Sequence, residues 1–386
     1  MTKRKICVVL TARTSYAKIK SILKAVQAHD SLELQLVCAA SAVLERYGDT
    51  DKMVEKDGFP VNERVYMIME GETLLTSAKA TGMGVIEFSG AFHRLKPDAV
   101  LVMADRFEIL SAAVAASYLN IPLAHVQGGE VSGNIDEKVR HAVTKLADLH
   151  FPATQKSADN IIRMGENPDT VFLTGCPSID VAQDVLDKPK LDFDIYEKYG
   201  GVGTFPDLSA GYYIVMQHPV TTEYHNSRDQ INATLHAMDR TQKPVLWFWP
   251  NVDAGGNDIS KGIRAFRENK KPEFMHFIKN MEPQDFLRVL NNSLGIIGNS
   301  SVAIREASFL GIPAVNIGSR QNARERGDNV CDVDYDVEQV YEAVTKHCGS
   351  KKESLSTYGS GNAGKKIADT LATTSLNYQK TLQYVQ

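Results

Sequence analysis

Six polar clusters, each following directly on an apolar run, hold the side chains able to do chemistry. The richest is residues 125–137 (HVQGGEVSGNIDE), with Arg140 and His141 just beyond. Its three glycines let backbone approach a ligand closely. Asp136, Arg140 and His141 share roughly one side of the helix that opens there, at i, i+4 and i+5. The plainer alternative makes Asp136 a helix cap and Arg140 its ion pair. Asp105 and Arg106 follow another apolar run, as an acid–base carboxylate beside a phosphate ligand or as a cap with a surface pair. Arg13 stands where a strand gives way to a helix, a natural anion site, although Thr14 or Ser15 could equally be an ordinary cap there. His218 precedes Pro219 at the start of the second half, and Asn251 sits in the loop at residues 250–255. Gly298, Asn299, Ser300 and Ser301 open a helix and offer N–H groups and hydroxyls to a diphosphate. Glu306 lies one turn further, placed to accept from two ribose hydroxyls, and Arg320 adds phosphate charge.

Near-continuous apolar runs separate these clusters, as in strands buried on both faces of a parallel sheet. They fall at residues 5–11, 34–40, 99–104, 122–126, 148–153 and 170–174, with helical spacing at 107–119 and 137–146. Proline, glycine and scattered charge at 187–210 predict a linker or surface excursion. The rhythm resumes with strands at 212–217, 245–249, 274–278, 295–298 and 314–317. Helices fit 230–240, 283–291, 301–309 and 337–347, and a last one fits 363–372. The reading is α/β: residues 1–186 as one Rossmann-like domain, 211–362 as a second, and 363–386 as a helix and tail. Ligands of such sheets bind at the carboxyl ends of the strands, so two domains facing a central cleft would share a site.

The chain has 386 residues, 43% hydrophobic and 23% charged, which excludes a disordered chain or a fibre. Its net charge is −4, so no nucleic-acid partner is expected. Five cysteines without a CxxC pair argue against a disulfide framework and a zinc ribbon. No HxxxH or HExxH occurs, and no catalytic metal is expected. No GxGxxG is present, so a dinucleotide fingerprint is missing. No signal peptide or membrane span is apparent, which predicts a cytoplasmic protein with no membrane partner.

Taken in order, DRFE (residues 105–108), GGEVSG, IDEKVRHAVTKL, TGCPSID (174–180), QHPVTTE (217–223), PNVDAG, GNSS and GSRQ resemble the hydrolysing UDP-N-acetylglucosamine 2-epimerases. The resemblance runs from Arg13 to about residue 362. It implies a GT-B-like fold of two Rossmann-like domains, with a C-terminal helix returning to the first. It also implies elimination of UDP to 2-acetamidoglucal and then hydration to N-acetylmannosamine, with no cofactor. That reaction feeds sialic-type acid synthesis, and family members form homodimers or homotetramers. A related branch takes UDP- or GDP-linked 2,4-diacetamido-2,4,6-trideoxyhexoses of legionaminic-acid synthesis.

On this resemblance Asp105, Glu130 and Asp136 supply the acid–base carboxylates, and His218 contacts or protonates the diphosphate. Arg13, Ser301, Glu306 and Arg320 hold UDP, with Arg106 assisting. Gln127, Arg140, His141, Asn251, Gly298 and Ser300 complete the substrate-binding set. Gln127 stands where relatives carry Glu or His, and so tunes or orients. Ser15 and Ala42 replace an acidic residue and a histidine of the family pattern, which alters the sugar pocket. Non-hydrolysing relatives read Glu-Ala-Gly-Leu-Arg-Thr-Gly where this chain has residues 127–133, which argues against that branch. A GT-B glycosyltransferase and a non-catalytic nucleotide-sugar sensor are the remaining alternatives.

Overall fold

The computed structural model describes residues 2–70, 73–131, 135–250 and 256–383. The chain divides into two compact units. The first gathers Met1–Val131, Ile135–Asp180 and Gly359–Gln386, and the second contains Val181–Tyr358.

The first unit holds a six-stranded parallel sheet. Its strands are β1 (Arg4–Leu10), β2 (Leu32–Ala39), β3 (Glu63–Val65), β4 (Ala99–Met103), β5 (Leu123–Val126) and β6 (Leu149–Phe151). The order is β3-β2-β1-β4-β5-β6, so chain direction across the sheet reverses between β1 and β4. All five residues of β4 are buried, as expected for a strand covered on both faces. Alternate residues of β1 serve opposite layers. Ile6, Val8 and Leu10 pack with Ile19, Ile22 and Leu23 of the helix Arg13–Ala28, and with Ile367 and Leu371. Cys7 and Val9 pack with Phe88, Phe92, Ile109 and Ala112 on the other side.

The helix Ala363–Thr373 supplies Ile367 and Leu371. Asp180 fixes its start by accepting from Ala363 N (2.8 Å) and Gly364 N (2.7 Å). A Cβ on Gly364 would lie 2.6 Å from the Ser21 carbonyl oxygen, so only glycine permits that approach.

The second unit holds β7 (Val202–Gly203), β8 (Tyr213–Met216), β9 (Val245–Phe248), β10 (Met275–Ile278), β11 (Gly295–Gly298), β12 (Ala314–Ile317) and β13 (Val330–Val333). Their order is β13-β12-β11-β8-β9-β10-β7. Every pairing is parallel except the edge pair β10–β7. Here the reversal falls between β8 and β11. Val215, Trp247, Phe277 and Ile297 meet Ile231, Leu235, Ile259 and Ile263 of the covering helices in one core.

Three expectations change. Residues 170–174 are no strand: Asn167 caps a 3-10 turn, Pro168–Thr170, and only a single bridge joins His150 to Val171. Residues 187–210 are no plain linker. Asp194 caps a helix, Ile195–Tyr199, and β7 extends the sheet. Residues 301–309 form two pieces: Ser300 caps a 3-10 turn, Ser301–Ala303, and Arg305 stands at the start of a separate helix, Glu306–Leu310.

Candidate active site

In the first unit the strands release the chain into strained turns. Ala40, Ala104 and Gln127, just past β2, β4 and β5, have φ of 53, 68 and 63°. Non-glycine residues in that region cost energy, and such strain clusters at functional sites. The Ala104 turn is held from two sides. Its N–H donates to Val126 O at 3.0 Å, and its carbonyl accepts from His125 Nε2 at 2.9 Å. His125 is fully buried, and its Nδ1 faces Thr144 Oγ1 at 3.1 Å. Burial pushes its pKa down to about 4, against the raising effect of its bond to Ala104, so the ring is neutral. A Cβ on Gly128 would sit 2.9 Å from His125 Nδ1, so Gly128 is the residue that fits beside this ring.

The turn presents Asp105. Arg106 rather than Asp105 is the cap of the helix Phe107–Tyr118, and it caps with no side-chain bond. The Asp105 carboxylate instead accepts from Arg140 Nη2. Arg140 is 1% exposed and also donates from Nη1 to the Glu130 carbonyl at 2.8 Å. One guanidinium thus joins the β4 turn to the glycine loop after β5. Glu130 itself is buried. Arg140, expected among the substrate ligands, is buried against the Asp105 carboxylate and the Glu130 backbone. Arg106 pairs with the buried Glu108 at 3.1 Å and stays part exposed. His141 lies 3.3 Å from Glu137 on the same helix. Gln127 donates to Cys176 Sγ at 3.0 Å.

Arg13 begins its helix behind Ala12, which offers no side-chain cap, so neither Thr14 nor Ser15 is the cap. Its guanidinium lies over Gly48, where a Cβ would come within 2.8 Å of Nη1. Asp136 belongs to the helix Ile135–Leu146, but its side chain lies outside the described residues, as does Asn251 entirely.

In the second unit the loops after β8, β11 and β12 are knitted by Asn299, which is fully buried. Its side chain accepts from His218 N at 2.7 Å and donates to His218 O at 2.9 Å. Its carbonyl accepts from Arg320 Nη1 at 3.1 Å and Gln321 Nε2 at 2.8 Å. Gly298 precedes it at φ 129°, and a Cβ there would collide with the Met216 carbonyl. Burial first, then the Arg320 charge, pushes the His218 pKa down to about 3, so this imidazole is neutral. Ser300 caps the 3-10 turn that Ser301 begins. Glu306 is 5% exposed, and its Oε2 has no hydrogen-bond partner among the described residues. A buried carboxylate oxygen in that condition is a ready acceptor for hydroxyls.

Asn299 was visible in the sequence only as one letter of a turn. Glu223 was missed as well. It accepts from Ser319 Oγ and, at 2.8 Å, from Gln230 Nε2, fixing the loop that carries Arg320. No sequence signal marks it, because the Ser319 contact joins residues 96 positions apart.

The first unit therefore offers the Asp105 carboxylate, aimed by a buried arginine, and the buried Glu130. The second offers a neutral histidine, a capped turn, an arginine and a carboxylate suited to phosphates and ribose. Among the described residues no group of three or more His, Cys, Asp or Glu is arranged to hold a metal ion. No helix among them is long and apolar enough to cross a membrane.

Residues 24–372 match the UDP-N-acetylglucosamine 2-epimerase family. The chain belongs to this family. It is 32% identical over 97% of both chains to a UDP-N,N'-diacetylbacillosamine 2-epimerase (hydrolyzing) of Legionella pneumophila. It is 28% identical to a UDP-N-acetylglucosamine 2-epimerase of Neisseria meningitidis, covering 93% of this chain and 92% of that one. Polysialic acid biosynthesis protein P7 of Escherichia coli is 30% identical over 86% of this chain and 82% of its own. Among solved structures, a Neisseria meningitidis UDP-GlcNAc 2-epimerase bound to UDP-GlcNAc superposes with TM-score 0.81 at 20% identity, covering 96% of this chain and 100% of that one. The Methanocaldococcus jannaschii enzyme in complex with UDP-GlcNAc and UDP gives 0.79 at 19%, covering 95% and 99%. The fold of this epimerase-family chain is GT-B-like, two Rossmann-like units built on parallel sheets.

Proposed function

We propose that this chain is a hydrolysing 2-epimerase that converts UDP-N-acetylglucosamine and water to N-acetylmannosamine and UDP. The observation that carries the reading is the pairing of Asp105 with the buried Arg140, whose other arm holds the Glu130 backbone. It ties the Asp105 carboxylate, just past β4, and the Glu130 backbone, just past β5, to one buried guanidinium in an epimerase-family fold.

In an α-linked gluco sugar the C1–O and C2–H bonds are axial and anti. The C2 proton has no adjacent carbonyl and is barely acidic. C1–O cleavage therefore leads, with positive charge at C1, and a carboxylate takes the C2 proton as the double bond forms. The departing UDP carries the electron pair of the C1–O bond. Arg13, His218, Ser301 and Arg320 stabilise its phosphates, with Arg106 assisting, and Glu306 accepts from the ribose. Water then adds at C1, and a proton returns to C2 on the opposite face, which gives the manno sugar. Asp105, Glu130 and Asp136 move the protons in both halves. Gln127, Arg140, His141, Asn251, Gly298 and Ser300 order the site. The product suits sialic-type acid synthesis, the reaction needs no cofactor, and a homodimer or homotetramer in the cytoplasm is the expected working form.

The 32% identity to the Legionella pneumophila enzyme favours a second reading of the sugar alone: the same chemistry on a 2,4-diacetamido-2,4,6-trideoxyhexose nucleotide. Glu130→Gln tests the mechanism shared by both. Its expected outcome is UDP affinity within a few-fold of the parent and turnover reduced at least about a hundredfold, the usual worth of an acid–base group. Full turnover by Glu130→Gln would overturn the assignment.

A further inference from the structure

An ionic cluster around a buried carboxylate in the first unit lies outside the residues assigned to chemistry. Glu166 is 2% exposed and receives three groups: Lys145 Nζ, His150 Nε2 at 3.1 Å and Lys380 Nζ at 2.6 Å. Lys380 belongs to the segment after the helix Ala363–Thr373, and it is 235 residues from Lys145 in the chain. Its ammonium also donates to the carbonyls of Lys145 and Ala147, both at 2.7 Å. Those carbonyls close the helix Ile135–Leu146. A cation there satisfies acceptors that the helix cannot and meets the negative end of its dipole. Nearby contacts seat the segment. Gln383 N donates to Gly165 O at 2.9 Å, and Gly165, at φ 89°, leaves room for Leu382.

The same helix carries Arg140, five residues before Lys145, and Thr144, which faces His125. Its axial position therefore sets where the Arg140 guanidinium meets Asp105. His150, the other partner of Glu166, stands beside His125 in the pairing of β5 with β6. Both routes out of the cluster lead to the Ala104–Asp105 turn.

We propose that Lys380 is a positioning residue for catalysis: by locking Glu166 and the carboxyl end of the helix Ile135–Leu146, it holds Arg140 in register with Asp105. The proposal rests on the epimerase reading for its effect on rate, but not for its effect on the helix.

Two measurements on the full chain test it: turnover of UDP-N-acetylglucosamine, and hydrogen exchange of the helix amides. Lys380→Ala should lower kcat by about tenfold, within the hundredfold that a misplacement of about 1 Å can cost. KM and UDP affinity should stay within about twofold, since no ligand contact is lost. Exchange should rise along the helix Ile135–Leu146 and stay unchanged in the sheet of the second unit. Lys380→Arg should restore both values, because it keeps a cation able to reach the carbonyls. Glu166→Gln, which keeps the side-chain volume, should reproduce the Lys380→Ala pattern in milder form. Unchanged helix exchange in Lys380→Ala, or a rise in KM with kcat intact, overturns the proposal. If the parent does not turn over this nucleotide sugar, the epimerase reading fails separately, and helix exchange alone decides the lock.

Discussion

Arg140, 1% exposed, donates from one arm to the Asp105 carboxylate and from the other to the Glu130 carbonyl at 2.8 Å. Asp105 is 20% exposed, so the pair has a sealed cationic end and an open anionic end. Such a carboxylate is fixed in direction without being closed off from substrate.

Removing that carboxylate takes a charged partner away from a buried guanidinium. Asp105→Ala is expected to lose about 3 kcal/mol of stability, the lower part of the range for a broken buried pair. Asp105→Asn keeps an acceptor oxygen and should lose less than half as much. Both should lose turnover. Denaturant midpoints and rates on the two variants check this; equal stability of both with the parent would show the pair to be incidental.

The neutral buried histidine gives a pH signature. His125 titrates near 4 when folded, against an ordinary 6.5. Between those values the unfolded chain binds more protons, so stability falls as pH drops from 6.5 to 4. The contribution of this group over that window is about 3 kcal/mol at most. His125→Asn should flatten the slope of melting temperature against pH there while lowering its plateau. An unchanged slope would contradict the burial-driven shift.

Much of this was open to sequence reading, and the limits were physical. The strands β1, β4, β5, β8 and β11 announce themselves because residues buried on both faces give continuous apolar runs. Strand β3 does not, since it is three residues, Glu63, Arg64 and Val65, and Arg64 pairs with Asp51 from outside the strand. The long helix Leu74–Leu95 was hidden by glycines, although Gly84 is there for packing: a Cβ would come within 2.5 Å of Met67 Cε and 2.8 Å of Ser111. The polar clusters at Arg13, Asp105, Gln127, His218 and Asn299 follow the strands β1, β4, β5, β8 and β11. What the sequence did not carry was partnership. Nothing in the letters pairs Asp105 with Arg140, or assigns Asn299 to His218, because those contacts join residues 35 and 81 positions apart.

Asn299 makes the second unit's loops testable. Asn299→Asp turns its donor to the His218 carbonyl into an acceptor and sets like dipoles together. UDP affinity should fall by about tenfold or more, the worth of roughly 1.4 kcal/mol, with the first unit's chemistry untouched. Titration calorimetry with UDP measures it, and affinity equal to the parent would remove Asn299 from the account.

Burial and then the Arg320 charge push the His218 pKa down to about 3, so the ring is neutral. His218→Asn preserves the backbone held by Asn299 but not the ring. Turnover should drop by about a hundredfold, as for loss of an acid–base or oxyanion contact. UDP affinity should weaken by less than about tenfold. A fall in affinity that matched the fall in rate would assign His218 to binding alone.

The most direct test of the central claim is proton NMR of the purified chain with UDP-N-acetylglucosamine in D2O, repeated with the 4-acetamido-6-deoxy analogue. The account predicts free UDP together with a manno-configured sugar carrying deuterium at C2, from at least one of the two. Recovery of an intact UDP-linked manno sugar, or UDP release with the C2 proton retained, would contradict it.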